Sequence, residues 1–249
     1  MEYALITGAT SGIGKEFAFA LGKKGINLIL TGRRKDNLEE IRKNLENRYG
    51  ILVQIVIGEF SDLKVIDELL NITKEKKIRY LINNVGYGNK FKFFEETFEE
   101  NLKMVNVHIE SFLKITYFLA PTMTNGYIIN VSSLASFLPT KYNHMYVSTK
   151  IFINNFSRCL SYELKNKNIK VKCICPGFVE TDFHREMQVS FKSKYTFMKP
   201  KKVVNYTMKN LENGKVILIP GVLNKMVYLF FKIAPSVLTD YILSKQSKL

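Results

Sequence analysis

The sequence predicts an α/β chain built on one doubly wound, mostly parallel sheet of seven strands with helices on both faces. Three observations predict it. Short apolar runs alternate with amphipathic helical stretches along the chain. The runs are rich in Ile, Leu and Val and nearly continuous in apolarity, as strands covered on both faces must be. A glycine-rich turn follows the first run directly.

The strands are expected at residues 3–7, 28–31, 53–57, 80–82, 127–131, 171–175 and 216–219. Between them, residues 13–24 form a helix that starts after glycines. Residues 36–48 set Leu38, Ile41 and Leu45 on one face, and residues 63–76 do the same with Val65, Ile66, Leu69, Leu70 and Ile72. Two longer helices follow at 96–119 and 142–166. Right-handed crossovers wind such units onto both sides of the sheet. Ligands then bind at the carboxyl ends of the strands, near the switch in strand order. A chain of 249 residues suits one domain over 1–249.

Composition narrows the function classes. Hydrophobic residues make up 46% of the chain, enough for a core and too few for a multi-span membrane protein. The formal net charge is +15, but the lysines are scattered (Lys23, Lys24, Lys74, Lys76, Lys77, Lys165, Lys167). No basic cluster is interleaved with aromatics, so nucleic acid is not an expected partner. Cys173 and Cys175 share one strand face and Cys159 stands apart. His108, His144 and His184 form no ligand motif, so no metal is expected. No charged-then-apolar leader opens the sequence, and no run approaches the ~20 apolar residues of a span. With the sparse, odd cysteine count, this points to the cytoplasm.

The first strand runs into Thr7-Gly8-Ala9-Thr10-Ser11-Gly12-Ile13-Gly14. Gly8 allows the turn out of the strand, Gly12 lets backbone approach a pyrophosphate, and Gly14 lets the helix pack on the sheet. Thr10, Ser11 and Ile13 complete the turn, whose helix offers free N–H groups to phosphates. The second strand ends at Arg33 and Arg34, where an NAD site would carry an acid. Guanidinium groups suit a 2′-phosphate, so NADP(H) is favoured over NAD(H). Asp62 either bonds the adenine edge or caps the next helix. Asn84 and Gly86, in Asn83-Asn84-Val85-Gly86, are placed to line the adenosine side.

The chemistry is expected from Tyr146-Val147-Ser148-Thr149-Lys150, which sets a phenol and an ammonium at i and i+4 on one helix face. The ammonium would favour phenolate and lower the phenol's pKa from about 10. The fifth strand delivers Ser132 and Ser133 to the same sheet edge, where a hydroxyl can orient a substrate oxygen.

This combination resembles the short-chain dehydrogenase/reductase family, with its Rossmann fold, over nearly the whole chain. Thr7–Gly14 looks like its cofactor signature, and Asn83–Gly86 like its NNAG motif with Val85 in place of alanine. The resemblance implies that Tyr146 donates a proton to a ketone or aldehyde oxygen during hydride transfer from NADP(H). Lys150 would bond the nicotinamide ribose, and Ser133, at the family's spacing before Tyr146, would position the carbonyl. Asn106 would match the family's helix asparagine, holding a water that relays protons to Lys150. The segment Cys175-Pro176-Gly177-Phe178-Val179-Glu180-Thr181 would close over the nicotinamide. Pro176 and Gly177 would line it, with Thr181 and the Val179 backbone on the carboxamide. The family's homodimers or homotetramers, built through the two long helices, are also implied. The alternative is a non-catalytic NADP(H)-binding module, but such proteins tend to lose the tyrosine or lysine.

Residues 183–200 read as a substrate lid, because Phe183, Met187, Phe191 and Tyr195 fall four apart. An apolar lid, with walls from Tyr87, Phe137 and Leu138, favours a lipophilic or 3-oxoacyl substrate. The apolar tail at 222–249 either covers the cleft, forms a subunit contact, or lies on a membrane surface, the last not favoured. The chain's end resembles that of DltE-like bacterial members of the family.

Overall fold

A computed structural model describes residues 1–89, 91–138, 140–183, 197–235, 237–239, 241 and 245. Seven strands form one sheet: β1 (Glu2–Ile6), β2 (Asn27–Gly32), β3 (Val53–Ile57), β4 (Lys77–Asn83), β5 (Gly126–Val131), β6 (Ile169–Ile174) and β7 (Ile217–Leu218). Their order is β3-β2-β1-β4-β5-β6-β7, and every pairing is parallel. The chain reverses direction across the sheet between β1 and β4, which opens the crevice there.

Strand alternation sends successive residues to opposite layers. Ala4 and Ile6 join α1 (Gly12–Gly22), α2 (Lys35–Tyr49) and α7 (Pro200–Lys209) through Phe17, Leu21, Leu38, Ile41, Leu45, Val203 and Val204. Leu5 faces the other layer, where Ile66 and Leu69 of α3 (Leu63–Thr73) meet Ile115 and Leu119 of α5 (Ser111–Leu119) and Leu160 of α6 (His144–Glu163).

The long helix expected at 96–119 is interrupted. Helix α4 (Phe98–Val105) starts with a capping box, Thr97 accepting from the Glu100 amide at 3.2 Å and Glu100 accepting from the Thr97 amide at 3.1 Å. A π-helical turn, Asn106–Glu110, then leads into α5, with the Ser111 amide bonded to the Asn106 carbonyl. Such turns insert a residue and mark functional sites.

The C-terminal part contains α7, begun by Pro200 at its first turn, and α8 (Val222–Ile233). No residue of α8 is buried. Among the described residues no helix is long and apolar enough to cross a membrane.

Candidate active site

The glycine turn lies over the carboxyl end of β1. Gly8 (φ +67°) and Gly12 (φ +57°) adopt left-handed backbone, and a Cβ on Gly14 would overlap the Gly8 carbonyl oxygen. Asn84 holds the turn from β4. Its amide donates to the Thr7 and Gly8 carbonyls, each at 3.0 Å. The Thr7 hydroxyl accepts from the Asn84 and Val85 amides at 2.9 and 3.0 Å. Asn84 lines the cleft, but its side chain is committed to fixing the two strand ends. Asn83, beside it, is buried and donates to Thr116 and Asn130.

A cleft runs from this turn along the strand ends. It is lined by Gly8, Thr10, Ser11, Gly12, Ile13, Arg33, Arg34, Asn84, Gly86, Ser133, Tyr146, Lys150, Pro176, Gly177, Val179 and Thr181. The turn fits a pyrophosphate: α1 points its first amides at the cleft, Ser11 does not cap them with its side chain, and no Cβ intrudes. Arg34 donates to the Ser11 and Thr10 hydroxyls at 2.8 and 3.1 Å and pairs with Asp182 at 2.8 Å. Arg33 pairs with Glu59 at 3.4 Å. Both guanidinium groups and both hydroxyls thus line the cleft at the second strand's end, with Glu59 and Asp182 holding the two arginines.

Of the two readings open for Asp62, the structure shows the helix cap. Asp62 is the N-cap of α3, accepting from the Lys64 amide at 2.9 Å, while Gly58, Glu59 and Phe60 form the cleft wall at this end. The cap takes Asp62 because an unpaired helix amide must be satisfied. Asn106 opens the π-helical turn and lies outside the cleft wall, where Val107 stands. His108, two residues on in the same turn, is a buried polar group beneath the site.

His108 is buried, and its Nε2 accepts the Tyr87 amide at 2.9 Å. Nδ1 therefore carries the proton and donates to the Thr149 hydroxyl at 2.9 Å, which donates to the Tyr146 carbonyl at 2.8 Å. A Cβ on Gly86 would stand 3.2 Å from His108 Nε2 and 3.3 Å from Lys150 Nζ, so this glycine lets both groups approach. Burial, and the Lys150 ammonium, hold the imidazole pKa well below 6.5. Below that pH the unfolded chain takes up a proton that the folded chain refuses, so stability falls as pH falls. Replacing His108 with Asn keeps an acceptor for the Tyr87 amide and removes this titration. The wild type is expected to lose up to about 1.4 kcal/mol per pH unit more than H108N below pH ~6.5. Urea midpoints at pH 7 and pH 5 check this; parallel losses would refute it.

Ser133, Tyr146 and Lys150 meet at the cleft's far end. Ser133 stands two residues beyond the end of β5 and lines the cleft with Tyr146. Lys150 is 4% exposed; its Nζ donates to the Val131 carbonyl at 3.0 Å and lies 5.7 Å from the Tyr146 ring centroid. The ionisation differs from the sequence expectation. Burial pushes the phenol up to about 12, with Ser133 pulling the other way and Cys175 adding to the rise. Burial lowers the Lys150 ammonium to about 8. Loss of hydration outweighs attraction between the two groups, so the resting pair is a neutral phenol beside an ammonium. Phe183 stacks obliquely on Tyr146 at 5.5 Å, and Tyr87 lines the same wall. Phe137 packs instead on Tyr228 of α8. Met187, Phe191 and Tyr195 lie outside the described residues.

The family description "short chain dehydrogenase" matches residues 2–192. The very-long-chain 3-oxoacyl-CoA reductase of Rattus norvegicus is 31% identical over 243 residues, 93% of this chain and 78% of that one. Its Danio rerio counterpart A is 34% identical over 187 residues, 72% of this chain and 59% of that one. The chain spans about 60% of the length of most of the curated relatives it matches. A short-chain dehydrogenase from Sphingobium yanoikuyae in complex with NADPH superimposes with a TM-score of 0.85 at 22% identity, over 99% of this chain and 96% of that one. A family member from Burkholderia phymatum in complex with NAD gives 0.81 at 19% identity, over 100% and 96%. The motif match, the sheet order and these relatives agree: the chain belongs to the short-chain dehydrogenase/reductase family of oxidoreductases.

Proposed function

We propose that this chain reduces a lipophilic ketone or aldehyde with NADPH, with Tyr146 as proton donor. The observation that carries the reading is the meeting of Ser133, Tyr146 and Lys150 in the cleft that begins at the glycine turn. Bound NADPH would supply the hydride. The neutral phenol is in the state needed to give a proton to the carbonyl oxygen, and Ser133 would hold that oxygen by a hydrogen bond. Lys150, protonated at neutral pH, would bond the nicotinamide ribose and offset negative charge as the phenol gives up its proton. Val179 and Thr181 would hold the carboxamide, and His108 would fix the wall beneath Lys150.

Arg33 and Arg34 support NADP(H) over NAD(H). Phe183 and Tyr87 make the substrate end apolar, and the relatives named for very-long-chain 3-oxoacyl-CoA support an acyl chain there. Exposed Phe98, Leu102, Tyr117, Phe118 and Ile151 on α4 to α6 support pairing of two copies through these helices. The three free thiols suit a reducing compartment.

The test is NADPH oxidation against ketones, aldehydes, steroids and long-chain 3-oxoacyl thioesters. Turnover of at least one apolar carbonyl is expected; tight NADPH binding with none turned over would overturn the reading. The pH profile follows from the ionisations. Tyr146 stays protonated up to about 12, whereas Lys150 loses its proton near 8. For reduction, kcat/KM for NADPH is therefore flat below that pH and falls about tenfold per unit above it, since it reports the free enzyme. A profile that rises through pH 8 would contradict the assignment.

A further inference from the structure

We infer that the outer face of α8 lies on the surface of an anionic phospholipid bilayer. The helix is amphipathic in the reverse sense to a core helix. Its inner face is the more polar one: Asn224 donates to the Pro220 carbonyl at 2.7 Å and packs on Gly177, and the Tyr228 ring meets Phe137 at 4.7 Å. Its outer arc carries Leu223, Met226, Leu229, Phe230 and Ile233, which are 42–80% exposed and recur at three- and four-residue spacing. Beyond Pro235 the exposed apolar surface continues in Val237 and Leu238.

Charge selects the occupant. At about 100° per residue, Lys225 and Lys232 fall together along one edge of the arc. Lys225 lies over the Tyr206 ring of α7 at 5.1 Å, and α7 adds exposed Lys201 and Lys202. From residue 197 onward the only acids are Glu212 and Asp240, in a chain of net charge +15. A second copy seated on this face would bring its own lysines against these. Anionic headgroups complement them, while acyl chains accept the arc at a depth of about 5–10 Å. Helix α8 has 12 residues and is too short to span, so it would lie in the plane of the interface.

Gly177 belongs to the cleft wall, and Phe137 follows the Ser133 turn. The docked face therefore adjoins the substrate end, and an apolar substrate would enter from the lipid side. That last consequence rests on the function proposed above; the docking does not.

Flotation of the full chain with phosphatidylcholine vesicles, with and without phosphatidylglycerol, tests it. The protein is expected to float with the anionic vesicles and stay behind with the neutral ones. Added salt should release it. Lys225→Gln and Lys232→Gln should each weaken anionic binding about fivefold. The combined variant L223S/M226S/I233S should abolish it while leaving NADPH binding intact. Equal recovery on both vesicle types, or undiminished flotation of the triple variant, would overturn the proposal. So would a change in oligomeric state on gel filtration of the triple variant, which would assign the face to a second copy. Tyr146→Phe should float as the wild type does, so failure of the catalytic reading leaves this result readable.

Discussion

Tyr146→Phe is expected to lower turnover by about 10²–10⁴-fold, the usual contribution of a positioned general acid, and to leave the dissociation constant for NADPH unchanged. The substitution removes one hydroxyl. The ring keeps its oblique stack on Phe183 and its edge contact with His108, so the cleft keeps its shape. Ser133 still accepts from the Ala135 amide at 3.1 Å and is not stranded. Single-turnover oxidation of NADPH, with binding followed by nucleotide fluorescence, separates the two effects. Undiminished turnover would assign the proton to another donor. A matched loss of NADPH affinity would mean that the hydroxyl serves binding instead.

Arg33→Asp should weaken NADPH binding by about 10²-fold, from loss of a charge-assisted contact worth about 1.5–3 kcal/mol together with repulsion of the 2′-phosphate. NADH binding should hold or improve, because a carboxylate at the end of β2 can accept from both ribose hydroxyls. Arg34 is the harder residue to replace. It already bridges Thr10, Ser11 and Asp182, so its loss would also loosen the glycine turn. Arg33 sits 57% exposed and among the described residues pairs with Glu59 alone, so its change reads out nucleotide choice more directly. Equal NADPH affinity in Arg33→Asp would remove the basis for the NADP(H) preference.

These residues were legible because their meaning is local. A glycine turn between strand and helix, or a phenol four residues before an ammonium, keeps its geometry in any fold that forms those elements. His108 was not legible, because the π-helical turn shifts the face by a residue and no spacing rule marks where it occurs. Asp62 and Glu59 both follow β3, and only the path of the chain decides which caps α3 and which lines the cleft. The ionisation of Tyr146 and Lys150 was misjudged for a related reason. Spacing reveals a neighbouring charge but not the loss of water around it. The tail reads as apolar in sequence, yet which way α8 turns that surface depends on Asn224 and Tyr228 gripping the body.

The pairing of Val179 with Met198 closes the chain on itself just beyond the cleft, the Glu180 amide donating to the Met198 carbonyl at 3.0 Å and the Met198 amide to the Phe178 carbonyl at 2.9 Å. Because both bonds are made by the main chain, that side of the cleft keeps its place whichever side chains occupy positions 178 to 180 and 198.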